Sequence, residues 1–204
     1  MSSNKNVFDN NIQRVDGLCD LYDLLISDKK TNKNKGHYYT DILRAATVFL
    51  HSAFEEYYRG VITAWLPMNG SKEALKVINL PDDAGKNGVK YHLVDLMMYK
   101  DKTVKELFQK AVYDYMSRTT FNSYDEICGW ASKVGLNIST FTKAKYIEDA
   151  VQRRHKIVHE ADLDNQSDNN KLRRIKPTDV AKWRNAYSEL VALIDAQIVA
   201  WESA

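Results

Sequence analysis

The chain has 204 residues, which is enough for one sizeable domain with a buried core. Its formal net charge of +2 is too small to indicate a nucleic-acid-binding protein by itself, so any anion-binding surface must be local. Eight glycines and three prolines are few, and they favour long helices over many short strands with turns. The N-terminus lacks the apolar core of a signal peptide, and no apolar run approaches membrane-spanning length. We therefore expect a soluble, cytoplasmic protein without membrane contacts, in which Cys19 and Cys128 are reduced, buried thiols.

Two amphipathic helices are predicted in the first third of the chain. After a frayed tail of about residues 1–6, apolar residues recur at intervals of three and four from Phe8 to Ile26. A basic polar loop over residues 28–36 separates this helix from a longer one, Tyr38–Leu66, which Pro67 should stop. The apolar band of the longer helix is wide enough to predict a central core helix, buried on more than one side.

The long predicted helix also carries four polar residues on neighbouring turns, His51, Glu55, Glu56 and Arg59. A carboxylate or an imidazole from this group could reach the helix predicted from Thr142 to about Ala161, which carries Arg154 and His159. The simpler interpretation is a set of ion pairs at helical spacing on the less buried side of the helix.

The middle of the chain contains shorter predicted helices. One starts at Ser71, whose side chain can cap it, and runs to about Leu80. A turn-rich loop over residues 81–88 follows, without the preceding strand or the Gly-Lys-Ser/Thr ending of a phosphate-binding loop. Two further helical patterns cover residues 91–99 and 103–116.

Residues 123–134 predict a helix, and Gly135 a turn after it, as in the first half of a helix-turn-helix DNA-binding motif. A recognition helix after such a turn should carry several polar side chains that reach bases, but residues 138–141 are Ile-Ser-Thr-Phe. The pattern therefore favours a core helix that ends at a glycine over a DNA-reading element.

The most informative stretch is the helix predicted from Thr142 to about Ala161, which contains Arg154, His155 and His159. On a helix that turns about 100° per residue, the two histidines are about 40° apart and lie one turn above the other, whereas Arg154 is about 140° from His159. Imidazoles exchange protons near neutral pH, and a guanidinium holds an anion in a planar fork. These residue types suit chemistry on a phosphate.

A metal site is one alternative, because His155 and His159 have the one-turn spacing that binds zinc. The metalloprotease pattern, however, needs a glutamate directly after the first histidine, and Lys156 stands there. A cation would also be repelled by Lys156 and Arg154. We therefore expect neither a metal nor another cofactor.

Two other interpretations remain open from the residues alone. In a structural role, Arg154 would pair with Asp149 or Glu160 while the histidines bind carbonyls at the helix end. In a metal-free ribonuclease, one histidine removes the proton from a ribose 2′-hydroxyl and the arginine stabilises charge on the phosphorus. Another histidine, from the same chain or a partner, protonates the leaving 5′-oxygen.

Basic residues cluster near this helix although the total charge is nearly balanced. Arg153 and Lys156 lie within it, and Arg173 and Arg174 belong to a basic run over residues 171–176. We expect these side chains to form a local rim that grips RNA phosphates.

A final helix is predicted from Thr178, as its cap, to Trp201. Its tryptophans Trp183 and Trp201, together with Val151 and Val158 beside the polar residues of the motif helix, suggest a self-complementary apolar patch. Such a patch predicts a homodimer with two-fold symmetry.

The run Arg154-His155-Lys156-Ile157-Val158-His159 resembles the signature of the HEPN superfamily, in which a polar residue and then a histidine follow an arginine. The wider stretch over residues 151–162, Val-Gln-Arg-Arg-His-Lys-Ile-Val-His-Glu-Ala-Asp, is similar to the RiboL-PSP-HEPN branch. The resemblance implies a single all-α domain over residues 1–204, a HEPN-like helical bundle with an additional N-terminal helix and a long C-terminal helix.

The same resemblance implies a function. Two copies of the motif would meet in one composite RNA-cleaving site, with Arg154 and His159 as the catalytic pair and His155 as the polar residue that supports them. One subgroup, which is paired with nucleotidyltransferase antitoxins, has a tyrosine where this chain has Ala161, so that particular pairing is not expected here.

We therefore expect a dimeric, metal-independent endoribonuclease that acts as a toxin or antiphage-defence component. The expected partners are RNA, a second copy of the chain, and a cognate antitoxin or another component of a defence system. The alternative is a catalytically silent HEPN module that binds RNA, a nucleotide or a partner protein.

Overall fold

A computed structural model describes residues 3–27, 36–78, 97, 100–164 and 171–203. Most of these residues lie in helices, and no strand forms among them. The prediction of an all-α fold is therefore confirmed.

The first helix, α1 (Ser3–Ser27), packs along the second, α2 (Gly36–Asn69). Because α1 already begins at Ser3, the prediction of a frayed tail over residues 1–6 is wrong for its described part. An ion pair between Lys5 and Asp9, one turn further on, supports this first part of the helix.

The long helix α2 is the centre of the fold, in contact with α1 and with four later helices. The prediction of a core helix buried on more than one side is confirmed, although Phe49 is exposed. Pro67 does not stop the helix where expected: α2 continues to Asn69, and the N–H of Gly70 donates to the carbonyl of Leu66 at 2.9 Å. The apolar and tyrosine side chains of α2 that are fully or almost fully buried are Leu43, Ala46, Leu50, Ala53, Phe54, Tyr57, Tyr58, Val61, Ile62 and Leu66.

The short helix α3 (Lys72–Leu75) begins as predicted, with the Ser71 hydroxyl accepting a hydrogen bond from the N–H of Ala74 at 3.1 Å. It ends earlier than the expected Leu80, because the N–H of Ile78 turns back to the carbonyl of Leu75. The predicted loop over residues 81–88 lies outside the described residues, as does the helix expected over 91–99 apart from residue 97.

Two further helices, α4 (Val104–Ser117) and α5 (Tyr124–Lys133), agree with the predicted positions. Gly135 follows α5 with φ of 78°, a left-handed conformation that suits glycine. No helix follows this turn directly, because the chain remains irregular over residues 136–143. Together with the buried Ile127 and Trp130 of α5, this arrangement favours the core-helix interpretation over a DNA-reading element.

The motif helix α6 (Ala144–Glu160) packs against α2 and against the last helix, α7 (Pro177–Glu202). The prediction that Thr178 caps α7 is wrong, because Pro177 already occupies the first helical position, which its fixed φ favours. The carboxylate of Asp179 accepts a hydrogen bond from the N–H of Lys176 at 3.0 Å and closes this end of the helix.

Two of the four apolar residues expected at a dimer surface are buried in the core of this one chain, Val151 and Trp183. Trp201 is half-buried, and its ring packs against Trp65 with centroids 4.9 Å apart. Val158 is 48% exposed. The patch predicted from the sequence is therefore wrong for Val151 and Trp183.

Cys19 and Cys128 are free thiols, and both are half-buried. None of the helices in the described part of the chain is long and apolar enough to cross a membrane.

Candidate active site

Two consecutive residues with left-handed backbone conformations follow the motif helix, Ala161 with φ of 50° and Asp162 with φ of 56°. The N–H of Asp162 donates to the carbonyl of Lys156 at 2.9 Å, which closes the last turn of α6. This reversal turns the Asp162 side chain back into the protein, where it is completely buried.

The carboxylate of Asp162 holds two arginines from different helices. It accepts a hydrogen bond of 2.6 Å from Nε of Arg44 in α2 and one of 2.8 Å from Nη2 of Arg153 in α6. Both arginines also donate to the backbone carbonyl of Arg173, at 2.8 Å and 2.9 Å. We call Asp162, Arg44 and Arg153 the Asp162 cluster, and it fixes the C-terminal end of α6 to α2.

The basic run over residues 171–176 is attached to the same cluster through its backbone. The N–H of Arg173 donates to the carbonyl of Asp162 at 2.9 Å, and Leu163 and Leu172 form an isolated antiparallel bridge. The roles of Arg44 and Asp162 were not predicted from the sequence. The only sequence signal was that Asp162 ends the stretch similar to the RiboL-PSP-HEPN branch.

His155 and His159 form a pair on the surface of α6. Both side chains are exposed, and their ring centroids lie 4.7 Å apart with an angle of 46° between the ring planes. The one-turn spacing predicted from the sequence thus brings the two imidazoles together. Both can reach a substrate, and neither is packed away in the core.

Arg154, next in sequence to Arg153, has different surroundings. It lies on the core-facing side of α6 with Ile147 and Val151, half-buried, and its Nε is enclosed without a hydrogen-bond partner. None of the ion pairs among the described residues involves Arg154. The structural role considered above, in which this arginine pairs with Asp149 or Glu160, therefore does not occur in the described part of the chain.

The four residues expected to bind RNA have different environments. Arg153 belongs to the Asp162 cluster, and burial lowers the pKa of its guanidinium despite the nearby Asp162 carboxylate. Lys156 forms an ion pair of 3.3 Å with Glu160. Arg173 is half-buried and donates to the carbonyl of Leu163 at 3.2 Å, whereas Arg174 is exposed.

The basic run does not surround the two histidines as a rim. Residues 153 and 155 are about 160° apart around a helix, and Arg153 donates to the carbonyls of Arg173 and Arg174. The run therefore lies on the side of α6 away from His155. There it borders a cavity of about 330 Å³, lined by Tyr22, Thr40, Arg44, Leu172, Arg173, Arg174, Ile175, Lys176 and Pro177.

The polar residues of α2 divide into two kinds. Glu56 and Arg59 form an exposed ion pair of 3.1 Å, as the simpler interpretation of the sequence expects. His51 and Glu55 are buried, so placing them on the less buried side is wrong. They face the core beneath α6 because they share a side of α2 with its buried aromatic residues.

Among the described residues, no three histidine, cysteine, aspartate or glutamate side chains come together in a way that could hold a metal ion. Charge also disfavours a cation at the two histidines, since Lys156 lies between them in sequence.

The fold and the motif define an all-α domain with an arginine and two histidines on one helix. Residues 9–200 match the RiboL-PSP-HEPN family, so the chain belongs to this HEPN-type family. The resemblance predicted from residues 151–162 is thereby confirmed, and it extends over nearly the whole chain. A search of curated proteins and a search of solved structures each gave no match.

Proposed function

We propose that this protein is a metal-independent endoribonuclease whose active site forms where two copies of the motif helix meet. The observation that carries the proposal is the contrast within the motif. Nη2 of the structural arginine, Arg153, donates to the Asp162 carboxylate and to the carbonyls of Arg173 and Arg174. By contrast, Arg154 has no ion pair among the described residues, and His155 and His159 are exposed as a pair. Reactive groups left unpaired in this way are available to a substrate.

In the proposed reaction, a histidine removes the proton from a ribose 2′-hydroxyl, and the 2′-oxygen attacks the adjacent phosphorus. The bond from phosphorus to the 5′-oxygen breaks, and a second imidazole protonates that oxygen. The products carry a 2′,3′-cyclic phosphate and a 5′-hydroxyl. Arg154 stabilises the charge that develops on the phosphoryl oxygens, a contribution on the order of 3 kcal/mol by analogy with a lost oxyanion donor.

A second copy of the chain would complete this site. Within one chain, Arg154 faces the core side of α6 while His159 faces outward, about 140° around the helix. Two motif helices that cross near Val158 would bring the arginine of one copy towards the histidines of the other. The exposed valine supplies an apolar contact for such a crossing.

RNA contacts away from the scissile phosphate are proposed for the basic run on the other side of α6. Arg174 and Lys176 are exposed there, and Arg173 and the half-buried Tyr22 line the same cavity. Arg153 is better explained as a structural member of the Asp162 cluster. We propose the toxin or antiphage role and a cognate partner protein on the family resemblance, and the cytoplasmic location on the free thiols of Cys19 and Cys128.

The function is tested by incubating the purified protein with structured and unstructured RNAs in the presence of a chelator. We expect cleavage to persist in EDTA. Arg154→Ala and His159→Ala should each remove most of it, since a general acid or base is typically worth roughly 10²–10⁴-fold in rate. His155→Ala should cost less if it orients the pair. Loss of cleavage on chelation would contradict the metal-independent mechanism, and full activity of His159→Ala would contradict the catalytic role of that histidine. Absence of RNA cleavage by the parent protein would favour the silent HEPN module that binds RNA, a nucleotide or a protein.

A further inference from the structure

A cluster of buried polar side chains lies beneath the motif helix. His51 and Glu55 of α2 are 1% and 7% exposed, and Tyr187 of α7 is completely buried. Nδ1 of His51 lies 2.8 Å from the Tyr187 hydroxyl, within hydrogen-bond distance. Nε2 of the same ring lies 3.6 Å from Oε1 of Glu55. The cluster thus runs from α7 through His51 to the carboxylate of Glu55.

Glu55 is also held from the connection between α4 and α5. Its Oε1 accepts a hydrogen bond of 3.1 Å from the N–H of Phe121. The carboxylate is therefore held by one element besides its own helix, the connection between α4 and α5. A buried carboxylate is costly unless its charge is compensated, so a side chain that served packing alone would be apolar at this position.

The charge of Glu55 persists near neutral pH. Burial raises the pKa of its carboxyl group, but His51, the Phe121 amide and the positive charge of Arg154 together lower the pKa by more. His51, the Phe121 amide and Arg154 thus all favour the ionised form of Glu55. One of them is the arginine of the motif.

Arg154 and Glu55 attract each other without forming an ion pair. The two side chains interact electrostatically across the contact between α2 and α6, but they are not within 4.0 Å. A direct pair would occupy the guanidinium fork and neutralise it. A carboxylate more than 4.0 Å away still attracts the guanidinium, but it leaves the terminal nitrogens free to bind another anion.

We propose that Glu55, held by His51 and the Phe121 amide, is a positioning residue that keeps the guanidinium of Arg154 oriented for a phosphate of bound RNA. The Tyr187 hydroxyl, 2.8 Å from Nδ1 of His51, orients the His51 ring. The inference rests on the proposed function only in naming RNA as the source of the phosphate. The sequence suggested that a carboxylate from α2 could reach the motif helix, and the buried position of Glu55 identifies it as the candidate carboxylate.

The test is a double-mutant cycle read out by binding, so that it does not depend on cleavage. The probe is a 2′-O-methyl RNA oligonucleotide, which lacks the free hydroxyl needed as nucleophile. Glu55→Gln, which removes the charge at nearly constant shape, should weaken binding by a factor of about 3–10 in the otherwise unchanged protein. In an Arg154→Ala background the same substitution should have no effect, because it acts through Arg154.

Glu56→Gln is the matched control, since Glu56 is the next residue on α2 but is exposed and paired with Arg59. It should bind the oligonucleotide as the parent protein does. If Glu55→Gln does not fold, Glu55→Asp keeps the charge and moves it by one methylene, and it should show the same coupling at a smaller size. The proposal would be overturned if Glu55→Gln weakened oligonucleotide binding equally in the parent protein and in Arg154→Ala, or if it weakened binding in neither.

Nuclear magnetic resonance of the arginine side chains gives a second, independent measurement on the unchanged protein. The Nε–H signal of Arg154, assigned by its loss in Arg154→Ala, should be shifted away from those of exposed arginines. A signal with the averaged shift of a freely moving side chain would contradict positioning. Coupling to Arg154 in a protein that does not cleave RNA would uphold this inference while the proposed function fails.

Discussion

Arg153 and Arg154 are consecutive residues, yet the first donates hydrogen bonds to Asp162, Arg173 and Arg174 and the second donates none within the described residues. The difference follows from helix geometry, because each step turns the side chain by about 100°. Arg153 points towards the buried Asp162 at the end of the motif, whereas Arg154 lies on the core-facing side of α6, which packs against α2. Arg153 thus stabilises the motif, whereas Arg154 is the arginine of the proposed reaction.

The first prediction uses this separation. Arg153→Gln should lower the free energy of unfolding by about 2 kcal/mol, because it removes charge-assisted hydrogen bonds to a buried carboxylate. Arg154→Gln, the matched control, should change it by less than about 1 kcal/mol. Urea denaturation followed by circular dichroism measures both. Equal losses in the two variants would contradict the assignment of a structural role to Arg153 alone.

The second prediction concerns the proposed dimer. Val158→Asp should shift the protein towards monomer and reduce RNA cleavage, because it places a charge in an apolar contact close to the motif. Val104→Asp is the control, since Val104 is 81% exposed at the start of α4, outside the proposed contact. Sedimentation velocity at micromolar concentration distinguishes the two variants. A parent protein that is only monomeric under these conditions would remove the basis for a composite site.

The third prediction concerns RNA binding by the basic run. Replacing Arg174 and Lys176 with alanine should weaken binding for all sequences alike, since phosphate contacts carry no base information. For single-stranded RNA, each lost phosphate contact should reduce the slope of log affinity against log salt by about 0.7. Lys105→Ala, exposed on α4, is the control. An unchanged affinity and slope would mean that RNA contacts the protein elsewhere.

The fourth prediction concerns acid. The pKa of Glu55 is shifted down in the folded protein, because His51, the Phe121 amide and Arg154 outweigh burial. Its ionisation therefore stabilises the fold above the ordinary pKa of 4.5, and this contribution disappears as the pH falls through the lower folded value. The free energy of unfolding of Glu55→Gln should thus depend less on pH in this acidic range than that of the parent. Identical pH profiles would contradict the shift.

Much of the fold could be predicted from the sequence, because apolar residues at intervals of three and four mark the core faces of α1, α2 and α7. The motif helix and the pairing of His155 with His159 also follow from periodicity alone. The Asp162 cluster could not be predicted, since it joins Arg44 to a carboxylate 118 residues away. The burial of Val151 and Trp183 likewise depends on how helices pack, so their apparent suitability for a dimer surface was misleading.

The proposed reaction depends on one atom of the substrate, the 2′-oxygen next to the phosphate that is cut. The most direct test is therefore an RNA in which a single nucleotide at a cleaved linkage carries hydrogen instead of the 2′-hydroxyl. We predict that cleavage stops at that linkage alone, while neighbouring linkages are still cut and leave 2′,3′-cyclic phosphate ends. Cleavage at the 2′-deoxy linkage would contradict the mechanism, because no nucleophile of the proposed kind is present there.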